Sequence, residues 1–324
     1  MKALQFTGPG QFQVIDVPVP EHNDDEVLVQ VKACNTCTQW DLTVWRGVDI
    51  FERPGHPQYP LAPGATGHEL AGVVVNAGKR VTRLKEGDHV ALWGTPPGLG
   101  RQGPNGGYAQ YFVGHERSFV PYPKDFPFEQ AALTEIFTCL TAALFKVGEV
   151  VGKRVGVSGL GPAGLLAVQA LKARGADEVV AFDIAPDRLQ LARELGADQV
   201  MGPNSPEWQE LLPRARQLDV AIDCIGVADS VNALMQVTRH HLVIFGVPHG
   251  DIRFSMDAWL KDLKIEPCGP RPEKGAYYAR HLLTTGQVKV DRFIGARLPL
   301  EEYPKGIQLL LDKQVVKVCF DPQA

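Results

Sequence analysis

The chain has 324 residues, of which 44% are hydrophobic and 22% are charged, and its formal net charge is −4. This composition is typical of a folded globular protein rather than a disordered one, and the length suggests about two domains. The absence of Lys/Arg blocks argues against nucleic-acid binding, and no apolar run approaches the roughly 18 residues of a bilayer span. We therefore predict a cytoplasmic protein with neither nucleic-acid nor membrane partners.

The first third of the chain is rich in Gly and Pro and contains short alternating apolar runs. The runs at 27–31 and 72–75 are typical of strands, and turn residues at 53–55 and 62–64 separate them. This pattern predicts a β-rich region with long loops that ends near residue 126.

Strands and helices alternate in the middle of the chain. The pattern is helical and apolar from 128 to 146. Strands are then predicted at 155–158, 179–182, 220–223 and 242–246, and helices at 162–174 and 186–195. Both helices begin at a proline and are followed by a glycine, which matches the known preferences of helix ends. Such alternation predicts a doubly wound parallel sheet.

The last stretch has two more helical patterns, at 274–285 and 301–313, and a closing strand at 315–320. It is too short to form a domain, so we expect it to return to the first one. The predicted domains are therefore 1–125 together with 277–324, and 126–276.

A glycine-rich turn follows the strand predicted at 155–158. Residues 159–164 read Gly-Leu-Gly-Pro-Ala-Gly, the G-x-G-x-x-G dinucleotide fingerprint in its required strand–turn–helix context. The first glycine allows the turn, the second lets backbone approach the pyrophosphate, and the third lets the helix pack on the strand. An ordinary βα turn is the alternative. The residues predicted to bind the cofactor here are Gly159, Gly161, Pro162, Ala163 and Gly164.

An acidic residue is expected about 20 residues further on, at the end of the second strand of such a fold. Asp183 stands there. Its carboxylate can accept hydrogen bonds from the ribose hydroxyls and would repel a 2′-phosphate, which favours NAD over NADP. Arg188 can contact the ribose or a phosphate, or be a solvated arginine at a helix start.

Four residues form a possible metal site. A catalytic zinc takes three protein ligands and keeps one position open. Cys37, His68 and Glu135 can supply that set, and Glu69 is a fourth candidate. The spacing alone is also compatible with ordinary packed residues. Cys34 and Cys37 also match a redox Cys-x-x-Cys motif, although the pattern there lacks the helix start that is usual for such motifs.

Taken together, these motifs resemble the zinc-dependent medium-chain alcohol dehydrogenase family, in its sorbitol-, glucose- and threonine-dehydrogenase-like branch. The resemblance covers essentially the whole chain. It implies a Rossmann doubly wound sheet plus a β-rich GroES-like catalytic domain, and a homodimer or homotetramer. The segments that carry it are 37–41, 67–74, 87–90, 106–109, the turn at 159–164, Asp183 and Lys317-Val318.

The resemblance also implies metal ligands at Cys37, His68, Glu69 and Glu135, and the sequence departs from the family in two places. The family commonly has Cys-Gly-Ser/Thr-Asp, in which the hydroxyl begins a proton relay. Here an extra residue precedes Asp41, so Thr38 becomes the relay candidate, with a polar surface role as the alternative. Residues 94–108 contain no cysteine, so a structural four-cysteine zinc is not expected.

The resemblance therefore implies an NAD-dependent alcohol dehydrogenase with one catalytic zinc ion per chain. Its substrate is expected to be a secondary alcohol of a polyol or sugar, with Cys37, Thr38, His68 and Glu69 at the catalytic centre. One alternative is a zinc-free, NADPH-dependent quinone or enoyl reductase, against which Cys37, His68 and Asp183 argue. A non-catalytic nucleotide-binding protein is the other.

Overall fold

The computed structural model describes residues 1–95, 106–203, 205–213 and 217–324. The chain divides into two compact units. The first comprises Met1–Thr138, Ala276–Thr284 and Val290–Ala324, and the second comprises Cys139–Gly275 and Thr285–Lys289. Most of the cysteine-free segment 94–108, for which no structural zinc is expected, lies outside the described residues.

The described residues form fifteen strands and ten α-helices. The strands are β1 (Lys2–Gly8), β2 (Gln11–Asp16), β3 (Glu26–Asn35), β4 (Glu69–Ala77), β5 (His89–Leu92), β6 (Tyr111–His115), β7 (Phe119–Tyr122), β8 (Arg154–Ser158), β9 (Glu178–Phe182), β10 (Gln199–Met201), β11 (Leu218–Asp223), β12 (Thr238–Ile244), β13 (Lys264–Pro267), β14 (Ile294–Pro299) and β15 (Lys317–Asp321). The helices are α1 (Thr38–Trp45), α2 (Phe128–Ala131), α3 (Thr134–Lys146), α4 (Pro162–Ala173), α5 (Pro186–Glu194), α6 (Pro206–Gln209), α7 (Ala228–Val237), α8 (Met256–Leu260), α9 (Glu273–Thr284) and α10 (Tyr303–Leu311). None of the helices among these residues is long and apolar enough to cross a membrane.

The first unit is built on a seven-stranded, mostly antiparallel sheet. Its strand order is β14-β15-β3-β4-β5-β7, with β6 also paired to β3. Alternate residues of β3, among them Val27, Val29 and Val31, are fully buried, as expected for a strand with one face on the core. The C-terminal strand β15 pairs with β3 at Cys34 and Asn35. The end of the chain therefore lies beside the segment that leads to Cys37.

The second unit is a six-stranded parallel sheet in the order β10-β9-β8-β11-β12-β13. Counted from β8, this is the order 3-2-1-4-5-6 of a doubly wound fold, whose chain reversal lies between β8 and β11. The central strands β8, β9 and β11 are mostly buried and apolar, as in Val179, Val180 and Ala181, because helices cover both faces of such a sheet. The predicted parallel sheet is confirmed.

The helix predicted over 128–146 is interrupted. The chain forms α2 and then α3, with a turn at Ala132 and Leu133. The Leu133 N–H bonds to the Gln130 carbonyl three residues earlier, at 3.2 Å, and the Thr134 hydroxyl donates to the Ala131 carbonyl at 2.6 Å. The helix therefore restarts at Thr134. As a result Glu135 lies in the first turn of α3.

Candidate functional site

Three of the predicted metal ligands meet at one point of the first unit. Cys37 directly precedes α1, His68 directly precedes β4, and Glu69 is the first residue of β4. The pairing of Asn35 with Glu69 between β3 and β4 brings these two segments side by side. One donor atom each of Cys37, His68 and Glu69 lies within 4.8 Å of the other two. Sulfur, imidazole nitrogen and carboxylate oxygen are the donor types that zinc takes in proteins.

Glu135 approaches this group from α3. Its Oε2 atom lies 4.0 Å from Nε2 of His68, and its side chain is 5% exposed. The group of three mutually close donors does not include it. The structure thus brings Cys37, His68 and Glu69 together and places Glu135 beside His68.

The electrostatics of this group fit a cation. Burial raises the pKa of the Cys37 thiol and of the Glu69 carboxyl, because their charged forms lose hydration, and Lys317 opposes both shifts. Oε1 of Glu69 lies 2.6 Å from the Lys317 ammonium, whereas its Oε2 is buried without a hydrogen-bond partner among the described residues. A buried oxygen left unpaired is costly. The donor set and this oxygen therefore fit a zinc ion.

A buried carboxylate, Asp41, connects the two segments that carry these ligands. Its Oδ2 accepts the Cys37 N–H at 2.8 Å and the Tyr108 hydroxyl at 2.7 Å. Its Oδ1 accepts the hydroxyl of Thr66, two residues before His68, at 2.5 Å. Burial raises the pKa of Asp41, and the hydrogen bonds from Thr66 and Tyr108 partly offset that rise. Asp41 thereby holds the Cys37 and His68 segments in register.

Thr38, the predicted relay residue, begins α1 directly after Cys37. Its hydroxyl oxygen is buried and has no hydrogen-bond partner among the residues that the structure describes. A buried hydroxyl normally has a partner. Its role as a relay stays a prediction.

Aromatic rings stand next to the metal ligands. The Trp40 ring meets the rings of His68 and Phe51 edge-on, with centroids 5.8 Å apart in both pairs. Phe51 is 53% exposed. These two side chains form an apolar surface that starts at a ligand and reaches solvent.

The redox alternative for Cys34 and Cys37 is not favoured. Cys37 does precede a helix, which the sequence pattern did not indicate. Cys34, however, lies inside β3, and burial raises the pKa of its thiol well above the ordinary value. A reactive pair needs an accessible thiolate, so the buried Cys34 thiol is unsuited to that chemistry.

The glycine-rich turn lies between β8 and α4. Gly159 has φ +85°, and a Cβ atom there would lie 2.3 Å from Ile225. A Cβ atom on Gly164 would lie 1.8 Å from the Gly159 carbonyl oxygen, whereas at Gly161 no described atom lies within 4 Å. Packing thus requires the first and third glycines. The open space at Gly161, at the start of α4, suits an anion at a helix N-terminus.

Asp183 holds this turn at the end of β9. Its Oδ2 accepts the Leu160 N–H at 2.7 Å and its Oδ1 accepts the Ala185 N–H at 2.9 Å. Arg188, on α5, is half-buried. Burial lowers the pKa of its guanidinium, and the charges of Asp183 and Asp187 oppose this shift. The acidic residue predicted from the spacing therefore lies at the turn.

Lys317 contacts Glu69, one of the predicted metal ligands, and the sequence motifs do not predict that contact. Its side chain is 1% exposed. The sequence contains one signal for it, because Lys317 interrupts the apolar pattern of the strand at 315–320. A lysine in such a buried strand needs a partner of opposite charge, since lysine is almost never fully buried unless it is paired. Thr66 and Tyr108 carry no comparable signal.

Two family models match the chain. Residues 23–124 match the "Alcohol dehydrogenase GroES-like domain", and residues 162–269 match the "Zinc-binding dehydrogenase" family. The second match begins at Pro162, inside the glycine-rich turn, and covers strands β9 to β13 of the parallel sheet. The first covers Cys37, His68 and Glu69. The GroES-like part of the predicted fold is thereby confirmed.

The chain is similar along its length to several polyol dehydrogenases. Sorbitol dehydrogenase of Homo sapiens is 30% identical, over 93% of this chain and 90% of that protein. D-arabitol-phosphate dehydrogenase of Enterococcus avium is 27% identical, over 99% and 97% of the two chains. The crystal structure of galactitol-1-phosphate dehydrogenase from Escherichia coli has a TM-score of 0.85 and 25% identity, over 99% of this chain and 100% of that chain.

Proposed function

This chain belongs to the zinc-dependent medium-chain alcohol dehydrogenase family, and we propose that it interconverts a secondary alcohol of a polyol or sugar and its ketone, with NAD and one zinc ion. The observation that carries this proposal is the group of Cys37, His68 and Glu69, whose donor atoms lie within 4.8 Å of one another. The names of the relatives support the polyol or sugar substrate.

Cys37, His68 and Glu69 would hold the zinc ion, and the Glu135 carboxylate is the alternative to Glu69 as the third ligand. When bound, zinc supplies Lewis acidity that favours loss of the alcohol proton, and the dinucleotide supplies the hydride acceptor. Asp41 orients the two ligand segments. The hydroxyl of Thr38, which is buried beside Cys37 and has no hydrogen-bond partner among the described residues, would accept the alcohol proton while giving its own proton to a water molecule.

The turn at 159–164 would bind the pyrophosphate. Asp183 would bind the adenosine ribose, and Arg188 would contact the ribose or a phosphate. The Asp183 carboxylate favours NAD, because a 2′-phosphate would meet its negative charge. Trp40 and Phe51 would pack against the C–H groups of the substrate, as aromatic side chains commonly do in ligand pockets.

We assign the GroES-like domain to 1–125 with 277–324, and the Rossmann domain to 126–276. We also propose a homodimer or homotetramer that associates along β13. This strand is an edge strand of its sheet. The neighbouring α8 exposes Met256, Trp259 and Leu260, each by about two thirds or more of its surface. An open strand edge next to exposed apolar side chains is typical of an association surface.

Elemental analysis of the purified protein, followed by turnover on a panel of polyols and sugars with NAD, tests this proposal. We expect about one zinc per chain. Cys37→Ser should lose most of the zinc and lower turnover on the order of 100-fold or more, since the metal supplies several kcal/mol of transition-state stabilisation. Cys268→Ser serves as the control, because it removes a half-buried thiol that is not part of the metal group. This variant should keep its zinc.

Two results would contradict the proposal. If Cys37→Ser keeps its zinc and its turnover, the assignment of the site is wrong. If the wild-type protein holds no zinc even after reconstitution, the zinc-free reductase or the non-catalytic alternative takes its place. Reduction of quinones or enoyl compounds with NADPH then separates these two.

A further inference from the structure

A buried ion pair lies next to the group of Cys37, His68 and Glu69. The Lys317 ammonium is 2.6 Å from Oε1 of Glu69, and the two side chains are 1% and 0% exposed. We propose that Lys317 is a positioning residue of the metal centre, which orients the Glu69 carboxylate toward the ion and balances the negative charge of the ligands. This inference rests on the proposed function in that it assumes a metal at Cys37, His68 and Glu69.

Lys317 connects both segments that carry the ligands. Its ammonium donates to Glu69, which follows His68, and also to the carbonyl of Thr36, which precedes Cys37. Thr36 is further tied to the same strand by two hydrogen bonds with Val318, one from its N–H at 2.9 Å and one to its hydroxyl at 3.0 Å. The last strand of the chain is thus part of the support for the site.

The contact with Lys317 distinguishes the two oxygens of Glu69. Oε1 accepts the ammonium hydrogen bond, while Oε2 is buried and has no hydrogen-bond partner among the described residues. Carboxylates that bind metals are commonly held by a hydrogen bond to a second residue, which sets the orientation of the carboxylate. Lys317 leaves Oε2 as the oxygen available to the ion. Among the described residues, the hydrogen bond given to Oε1 of Glu69 is the one from Lys317.

The charges give an independent reason for a lysine here. Lys317 is the cation in direct contact with the carboxylate of Glu69, and both side chains are buried. Because uncompensated charge is costly in a buried site, a neutral residue in its place would weaken the binding of the ion.

Lys317→Met, which removes the charge at similar length, tests this inference by zinc affinity in competition with a chelator. We expect the affinity to fall by about 10- to 100-fold, the usual effect of removing a residue that orients a ligand. Lys317→Arg should restore most of it. The control is Lys305→Met. Lys305 pairs with Glu302 at the same 2.6 Å, but the two side chains are 63% and 44% exposed, so the zinc affinity should not change.

A second pair of variants covers the case in which Lys317→Met fails to fold because it leaves Glu69 buried and unpaired. In a Glu69→Gln background, the carboxylate that Lys317 orients and balances is gone. There, Lys317→Met should leave the zinc affinity within about threefold, since the coupling between the residues has been removed. The thiolate absorption band of the Co²⁺-loaded proteins reports whether Cys37 still binds the ion.

The outcomes separate this inference from the proposed function. A wild-type protein that binds no zinc overturns both. If the wild type binds zinc and Lys317→Met binds it equally tightly, only the role of Lys317 is overturned. A tenfold loss from Lys317→Met in the Glu69→Gln background also overturns it, because Lys317 would then act without Glu69.

Discussion

Two glycines of the turn at 159–164 are needed for different reasons, so alanine should act differently at each. At Gly164, a Cβ atom would lie 1.8 Å from the carbonyl oxygen of Gly159, and the start of α4 must move by more than 1 Å to accept it. Overpacking of this kind costs about 1–3 kcal/mol. At roughly 2–4 °C per kcal/mol, the value for proteins of about 150–250 residues, Gly164→Ala should lower Tm by about 2–12 °C.

At Gly161 the same change should leave the fold intact. Its φ of −69° suits alanine, and no described atom lies within 4 Å of the added carbon. The carbon would instead occupy the space in front of α4 through which a pyrophosphate reaches the helix N-terminus. We expect Gly161→Ala to keep the wild-type Tm and to bind NADH about tenfold more weakly or worse, which corresponds to about 1.4 kcal/mol.

Thermal denaturation and NADH fluorescence titration of the two variants separate packing from ligand contact, and each variant serves as the control for the other. Wild-type NADH affinity in Gly161→Ala would show that the turn does not hold the pyrophosphate. An unchanged Tm in Gly164→Ala would refute the packing argument.

Two further predictions concern the second unit. Asp183→Asn keeps one oxygen to accept the Leu160 N–H, gives up the acceptor of the Ala185 N–H, and removes the charge that a 2′-phosphate would meet. The ratio of kcat/KM for NAD to that for NADP should therefore fall roughly tenfold or more. An unchanged ratio would show that Asp183 does not select the cofactor. Trp259→Glu places a charge on the exposed face of α8 and should lower the mass measured by light scattering toward that of the monomer. A wild type that is already monomeric, or a variant of unchanged mass, would contradict association along β13.

The dinucleotide turn could be predicted because its signals are local. Pro162 begins α4 as predicted, and Gly175, with φ +87°, follows its end. Each residue acts through its own backbone: proline fixes φ and lacks an N–H, while glycine accepts the left-handed region. The position of Asp183 follows in turn from the length of one helix and one strand.

The residues of the metal group could be predicted from the sequence, but their arrangement in space could not. Cys37 and His68 are brought together by the pairing of β3 with β4, and Lys317 reaches Glu69 from the other end of the chain. No local pattern encodes contacts over such separations. The interruption of the helix at 132–133 could not be predicted for a different reason. Ala132 and Leu133 are themselves apolar and buried, so the helical pattern of apolar residues continues through them.

The extra residue between Cys37 and Asp41 shows how helix geometry absorbs an insertion. Because α1 begins directly after Cys37, the residue four positions on lies one turn above it, and the Asp41 N–H bonds to the Cys37 carbonyl at 2.8 Å. The Asp41 carboxylate can then return to the Cys37 N–H, much as the acidic residue of a capping box does. This contact orders the cysteine segment. In the family pattern that the sequence resembles, the hydroxyl stands two residues after the cysteine. Here that position holds the exposed Gln39, and this leaves Thr38, with its buried oxygen beside Cys37, as the relay candidate.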